Sequence, residues 1–360
     1  MNRIHNFSAG PAILPIEVLD STAQAVKEYN GLGMSLMEMS HRSKPVVEIF
    51  DEAMADCLKL MGLSSNDYDV FFLGGGASLQ FLMTPWNFLS SKAAYINTGT
   101  WADKAIKEAK NIGETVVVGS SEDDNFNFIP KNCEVPAGCD YIHFTSNNTI
   151  FGTRFHEIPE TNGAPLVCDM SSDIFSRQLD FSKFDMIYAG AQKNMGPAGA
   201  TMIVLKKSFL ESKGKDVKET MLSYKTHVSK DSMFNTPPVL PVYTLGQTFK
   251  WLLANGGVSW IEEINNRKAG KLYDAIDSSG GFYKGSVVHK EDRSIMNVTF
   301  NLASEELESK FIAEASSANL SGLKGHRSVG GVRASIYNAL PEESVDALVS
   351  FMDEFKANNG

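Results

Sequence analysis

The sequence predicts an α/β protein: a mainly parallel sheet covered by helices on both faces, followed by a smaller α+β domain. Two observations carry that class. Between Val70 and Leu205, short unbroken apolar runs alternate with stretches of helical periodicity. Strands that are apolar on both sides belong in sheets buried on both faces. Beyond about Gly257 the texture changes to charge-rich helices and alternating strands. A chain of 360 residues is long enough to form two cores.

Taken in order, residues 1–15 read as an extended arm punctuated by Gly10-Pro11 and Leu14-Pro15. Ile16 to Tyr29 carries Val18, Leu19, Ala25 and Val26 at helical spacing, and Gly31 and Gly33 end it. Met34 to Arg42 is a loop. Val46 to Met61 is a second helix, with Val47, Phe50, Met54 and Leu58 on one face. Val70 to Leu73 is a buried strand, and Gly74-Gly75-Gly76 turns it into a helix that starts near Ser78. Ala94–Ile96 and Thr115–Val118 are strands flanking a helix over Trp101–Lys110. Tyr141–Phe144, Leu166–Cys168, Asp185–Tyr188 and Thr201–Leu205 complete a seven-stranded set. In the second domain, helices are predicted over Ser259–Ile276, Glu305–Ala318 and Glu342–Lys356. Strands are predicted over Ser294–Leu302 and Val332–Tyr337. The expected division is an arm (1–15), a large domain (16–258) and a small domain (259–360).

Composition narrows the function. Apolar and charged fractions of 43% and 21% are those of an ordinary globular protein. A formal net charge of −10 supplies no basic field for nucleic acid. No apolar run approaches the ~20 residues that span a bilayer, and the first residues lack a signal peptide's apolar core. A soluble, cytoplasmic protein is expected. Cys57, Cys133, Cys139 and Cys168 form no Cys-x-x-Cys pair, and the seven histidines are scattered. Reduced thiols and no metal site are therefore expected. Gly-x-Ser-x-Gly and His-Glu-x-x-His are both missing.

The stretch with the most chemistry is Tyr188-Ala189-Gly190-Ala191-Gln192-Lys193-Asn194-Met195-Gly196-Pro197-Ala198-Gly199. A lysine on a short turn between buried strands is desolvated, loses its proton more easily and can attack a carbonyl. The same stretch also reads as a Gly-rich turn with a solvent-facing lysine. Asp169 ends an apolar strand, and the carboxyl ends of strands are where α/β sheets place ligands; it also reads as a structural ion pair or N-cap. Gly74-Gly75-Gly76 leads a strand onto a helix N-terminus, which favours phosphate. Leu79 stands where the dinucleotide fingerprint needs its third glycine. Trp101, opening a helix, could stack on a planar ring. His41-Arg42 and His326-Arg327 could take carboxylate or phosphate, or be solvated charge. Lysine, acid, stacking ring and phosphate cradle together are the parts that hold pyridoxal phosphate.

The motifs Phe7-Ser8-Ala9-Gly10-Pro11, Glu38-Met39-Ser40-His41-Arg42 and Ala189-Gly190-Ala191-Gln192-Lys193-Asn194 carry a family likeness. So do Asn235-Thr236-Pro237-Pro238, Gly325-His326-Arg327 and Arg333-Ala334-Ser335-Ile336-Tyr337-Asn338-Ala339. With these, the chain resembles, end to end, the phosphoserine aminotransferase family of class V, fold-type I pyridoxal-phosphate enzymes. The resemblance implies that Lys193 holds the cofactor and shuttles a proton, and that Asp169 pairs with the ring nitrogen. It implies that Trp101 stacks on the ring and Thr149 bonds near its hydroxyl. Gly76, Ala77 and Gln192 bind the phosphate, joined by Asn235 and Thr236 from the neighbouring subunit of a homodimer. Arg327 takes the substrate α-carboxylate, and His41, Arg42 and His326 take its distal anion. Some members carry arginine at the position of Ala77, which leaves the distal anion more dependent on Arg42 and the histidines. The implied reaction is amino transfer between glutamate and 3-phosphohydroxypyruvate in serine biosynthesis, with a possible second substrate in vitamin B6 synthesis. The rivals are an alanine–glyoxylate type aminotransferase and a non-catalytic phosphate-binding protein.

Overall fold

The computed structural model describes residues 3–360; the first two residues of the expected arm lie outside the described residues. Strand β1 (His5–Asn6) pairs in parallel with β11 (Leu320–Ser321), and Phe7 and Ile13 bury in the C-terminal core. The arm is thus fastened to the far end of the chain. Helices α1 (Ile16–Lys27) and α2 (Lys44–Met61) follow, the second closed by Gly62 in the left-handed region.

The main sheet comprises β2 (Tyr68–Leu73), β3 (Lys92–Asn97), β4 (Glu114–Ser120), β5 (Ile142–Thr145), β6 (Leu166–Asp169), β7 (Met186–Gly190) and β8 (Thr201–Lys206). Helix α3 (Gly76–Phe88) joins β2 to β3, and α4 (Thr100–Lys110) joins β3 to β4. The strand order is β2-β8-β7-β6-β5-β3-β4. All neighbours are parallel except those of β8, which runs antiparallel to β2 and β7. The reason lies in the connection: residues 191–200 are too few for a parallel crossover, which needs a helix-length return. The expected lysine turn is therefore a hairpin between β7 and β8.

Alternation along β2 shows how the sheet is covered. Val70 and Phe72 enter one apolar core with Phe50 and Phe249, while Phe71 and Leu73 enter another with Phe81 and Tyr188. Helices α5 (Lys207–Lys213) and α6 (Tyr224–Val228) lead to α7 (Val239–Ala254), which packs on α2. Helices α5, α6 and α7 are not among the predicted elements. Pro237, Pro238 and Pro241 obscure the start of α7, although proline is tolerated in a first helical turn.

Helix α8 (Gly257–Asp277) belongs to two cores. Val258 and Ile261 bury with the main sheet, and Ala269, Leu272 and Ile276 bury with the C-terminal elements. Those elements are β9 (Lys284–Gly285), β10 (Asn297–Asn301), α9 (Glu305–Ser317), β11, β12 (Val332–Ser335) and α10 (Glu342–Asn359). Strands β12, β10 and β9 form an antiparallel sheet. Strand β10 is shorter than expected because Ser294 Oγ accepts from the amides of Met296 and Asn297, turning the chain before pairing begins. Among the described residues, no helix is long and apolar enough to cross a membrane, no cluster of His, Cys, Asp and Glu could hold a metal, and all four cysteines are free.

Candidate active site

The hairpin turn between β7 and β8 is wrapped tightly. The amides of Met195 and Gly196 both donate to the Ala191 carbonyl, at 3.2 and 2.7 Å. The N-terminal arm closes over it: Ala12 donates to the Gln192 carbonyl at 2.9 Å, and a Cβ on Gly10 would stand 3.2 Å from Lys193 Cγ. Glycine at position 10 therefore lets the arm lie against the lysine stem. Lys193 Nζ donates to Thr149 Oγ1 at 2.6 Å and stands 5.7 Å from the centroid of the Trp101 ring. Burial pushes the Lys193 amine down to about 8, with Arg333 acting in the same direction and Asp169 and Asp173 opposing. A lysine so placed holds a useful fraction of neutral amine near neutral pH.

Asp169 ends β6 beside Tyr188 of β7 and is buried. Its Oδ1 accepts from the Ser171 amide at 2.9 Å and the Ser171 hydroxyl at 2.6 Å. Ser171 Oγ in turn accepts from the Gly190 amide at 3.1 Å, which ties the acid to the end of β7. Burial raises the Asp169 carboxyl above the usual carboxylate range, while the Ser171 donors and Lys193 hold it down. Both donors reach one oxygen. Among the described residues Oδ2 has no hydrogen-bond partner, which leaves it for a ligand.

The glycine turn divides its labour. Gly75 caps α3 at φ +89, and a Cβ there would meet Leu79 at 2.7 Å. Gly76 opens the helix at φ +66, and a Cβ there would meet nothing within 4 Å. Open room over the first amides of a helix suits a phosphate group. Ala77 follows in the same turn, and Gln192 folds its amide over Gly190, where a Cβ would lie 2.8 Å from Gln192 Oε1. Trp101 sits in the first turn of α4, and its buried Nε1 has no partner among the described residues.

Arg333, to which neither the residue pattern nor the family resemblance assigns a role, completes the site. From β12 its Nη1 donates to the Thr149 carbonyl at 3.2 Å, while its buried Nε has no partner among the described residues. Thr149 thus touches Lys193 with its hydroxyl and Arg333 through its carbonyl. The available signal is an arginine set within the otherwise small and apolar Val332-Arg333-Ala334-Ser335. His326 lies on the loop before β12, where Arg333, Arg327 and Lys104 act on it electrostatically. Burial and these three cations push its imidazole below its ordinary value. Arg327 is exposed on that loop.

Four expected residues are not brought to Lys193 by this single chain. Arg42 is exposed, and the buried His41 Nε2 has no partner among the described residues. The turn before them, Leu36–Glu38, packs on α1 and α7. Asn235 and Thr236 are also exposed, on a loop whose Ser232 Oγ accepts from the Phe72 amide at 2.8 Å. That bond seats the loop near the glycine turn, where Asn235 and Gly74 line one small cavity.

A low-lying amine, a buried carboxylate with a free oxygen, an indole lacking its partner and an open glycine cradle form a donor set that fits pyridoxal phosphate. Comparison with known proteins points the same way. The chain matches the family model described as aminotransferase class-V over residues 4–348. It is 54% identical to a phosphoserine aminotransferase of Flavobacterium psychrophilum, covering 98% of each chain. Its structure is similar to that of a phosphoserine aminotransferase from Bacillus circulans subsp. alkalophilus, with TM-score 0.96, 47% identity and 99% of each chain covered. It is also similar to a PLP-bound phosphoserine aminotransferase from Trichomonas vaginalis, with TM-score 0.92, 35% identity, and 98% and 100% covered. The chain therefore belongs to the phosphoserine aminotransferase family within the class-V aminotransferases.

Proposed function

We propose that this chain transfers an amino group reversibly between glutamate and 3-phosphohydroxypyruvate, giving phosphoserine and 2-oxoglutarate. The observation that carries the chemistry is the meeting of Lys193 and Arg333 on the hydroxyl and the carbonyl of Thr149. It sets an amine and a carboxylate receptor side by side, as an α-amino acid requires. When bound, pyridoxal phosphate supplies a reactive carbonyl and a ring that takes up the electrons of the broken Cα–H bond.

The chain's own residues do the rest. Lys193 Nζ would hold the cofactor and, once freed by the incoming substrate amine, would take the proton from the substrate Cα, a role its lowered basicity suits. Asp169, through its free oxygen, keeps positive charge on the ring nitrogen. Trp101 covers one face of the ring and excludes water. The amides of Gly76 and Ala77, with the Gln192 side chain, hold the phosphate. The geometry favours Arg333 over the exposed Arg327 for the α-carboxylate, with a bidentate guanidinium. His326 and Arg327 then face the distal anion.

We assign His41, Arg42, Asn235 and Thr236 to the site of a second copy in a homodimer. Exposed apolar side chains beside them support this: Met37 is 65% exposed near Arg42, and Phe234 is 37% exposed beside Asn235. Helix α8 then joins a large and a small domain. A cytoplasmic location is supported by the four free thiols.

The test is direct. Protein loaded with pyridoxal phosphate and reduced with borohydride should carry the label on the peptide containing Lys193. It should form glutamate from phosphoserine and 2-oxoglutarate far faster than from alanine and 2-oxoglutarate. Labelling of another lysine sinks the assignment, and comparable use of alanine transfers the reading to the alanine–glyoxylate type. For the dimer, mixing refolded Lys193→Ala and Arg42→Ala chains should regain about a quarter of normal activity through one intact site per hybrid. Hybrids that form and stay inactive refute sharing of Arg42.

A further inference from the structure

Beside the site lies a group of cations, none in an ion pair among the described residues, that the assigned residues do not exhaust. The Glu308 carboxylate of α9 is engaged by the Gly331 amide at 3.1 Å. Arg333, Arg327 and Lys104 all lie near enough to act on His326, and all three are positive. They come from three places: Lys104 from α4, Arg327 from the loop before β12, and Arg333 from β12 itself. Lys104 follows Trp101 by one helical turn, so the two share a face of α4. Its Nζ stands 4.6 Å from the centroid of the Trp101 ring. It is exposed, and among the described residues it has no ion pair. Its helix neighbour behaves otherwise: Lys107 pairs with Asp103 at 2.7 Å. Lys104 also has Glu108 one turn on, yet lies back over the indole instead of pairing with it. His326 is oriented by a 2.7 Å hydrogen bond between its Nδ1 and Ser328 Oγ, which leaves Nε2 available.

We propose that Lys104 is a specificity-determining residue that reaches across the Trp101 edge to the distal phosphate of the substrate, completing with His326 and Arg327 a dianion receptor. This rests on the phosphoserine reading above. A phosphate dianion arriving among Lys104, Arg327 and His326 relieves repulsion that the free protein carries. A monoanionic side-chain carboxylate relieves less of it. Lys104 would therefore discriminate phosphoserine from glutamate, not merely hold either.

The decisive variant is Lys104→Ala. Because Lys104 is exposed, its loss leaves the fold intact. A truncated charge-assisted contact at a partly screened position raises KM for phosphoserine about tenfold, with kcat little changed. KM for glutamate rises by a smaller factor, and the phosphoserine effect shrinks as salt is raised. The inhibition constant of inorganic phosphate against the loaded enzyme weakens in parallel. Lys104→Arg keeps the charge and restores phosphoserine KM, and Lys107→Ala, one turn further on, leaves every value unchanged. If Lys104 only props Trp101, Lys104→Ala lowers kcat for both substrates equally and weakens cofactor retention, with phosphate inhibition unaltered. That result overturns the inference. An unchanged phosphoserine KM overturns it as well. Should the wild-type protein not use phosphoserine at all, the functional reading fails separately, and the phosphate inhibition measured on whichever amino donor it does use still decides the role of Lys104.

Discussion

The bond between Ser171 and Asp169 gives the sharpest prediction. Ser171→Ala removes the hydroxyl that donates to Asp169 Oδ1 at 2.6 Å and accepts from the Gly190 amide at 3.1 Å. A hydrogen bond to a charged acceptor contributes about 1.5–3 kcal/mol, and a buried amide left without an acceptor costs about 1–3 kcal/mol. The two losses share one atom and are not fully additive, so the net destabilisation is roughly 2–4 kcal/mol. For a chain of this length that corresponds to a fall in Tm of roughly 3–5 °C. The functional effect has a definite sign. Burial already raises the Asp169 carboxyl, and the Ser171 donors oppose that shift. Removing one donor moves the carboxyl further up, so the ionised form needed at the ring nitrogen is lost at a higher pH. The acid limb of kcat should move to higher pH in Ser171→Ala, while the surviving amide bond at 2.9 Å keeps the variant active. Ser171→Thr retains the hydroxyl and should return the limb to its original position. The assay is kcat against pH, with a thermal melt on the same preparations. A lowered Tm with an unmoved acid limb would reduce Ser171 to a structural role; no change in either would refute the hydrogen-bonding account.

Three further outcomes follow from the geometry. With the Lys193 amine at about 8, the neutral fraction is about a tenth at pH 7 and about half at pH 8, so the rate at which apoprotein captures pyridoxal phosphate should climb about fivefold between them and level off above pH 9; a rise that continues to pH 10 contradicts the lowered value. Gly75→Ala forces a methyl against Leu79 at 2.7 Å and should chiefly lower Tm, whereas Gly76→Ala puts its methyl into open cradle space and should chiefly weaken cofactor binding, by tenfold or more beyond a backbone strain of about 1–2 kcal/mol. Matching losses in both measurements would merge the two roles. Arg333→Gln should lower kcat/KM for glutamate about a hundredfold by removing a charged receptor for the α-carboxylate, and Arg327→Gln should lower it far less; the reverse ranking would return the α-carboxylate to Arg327.

What was legible in the sequence is what burial on two faces writes into it. The inner strands stood out because both sides of each meet a core, as Val70 and Phe72 do on one side and Phe71 and Leu73 on the other, while the half-exposed edge strand β4 stood out only by its run Val116-Val117-Val118. Lys193, Asp169 and Gly76 stood out because each ends a strand or lies in the turn beyond one. The direction of β8 was not written in its own residues. It follows from the length of the connection that carries Lys193. Helix α7 was masked by its opening prolines. His41, Arg42, Asn235 and Thr236 were named through family likeness, and nothing in the apolar pattern distinguishes them from other exposed polar residues.

Arg333 escaped notice for a different reason: its placement depends on polar contacts between segments far apart in the chain. Asn194, next to Lys193, accepts the Asn338 amide at 3.0 Å and donates to the Ile174 carbonyl at 2.8 Å. Asn338 accepts from Asn265 of α8 at 2.8 Å and donates to the Phe175 carbonyl at 3.0 Å. Beyond β12, the Ile336, Tyr337 and Leu340 carbonyls all receive the buried Lys268 ammonium, at 3.0, 2.8 and 3.1 Å. Three donors meet three acceptors there on a fully buried side chain, so the segment has one low-energy position. This polar frame ties the chain just after Arg333 to the residue just after Lys193. Hydrophobic periodicity can say that β12 packs in the C-terminal core. It cannot say how far along the seam β12 sits, because apolar surfaces tolerate sliding and directional hydrogen bonds do not. The distance between amine and guanidinium, on which recognition of an α-amino acid turns, is thus set by asparagines and one buried lysine whose positions look unremarkable in the sequence.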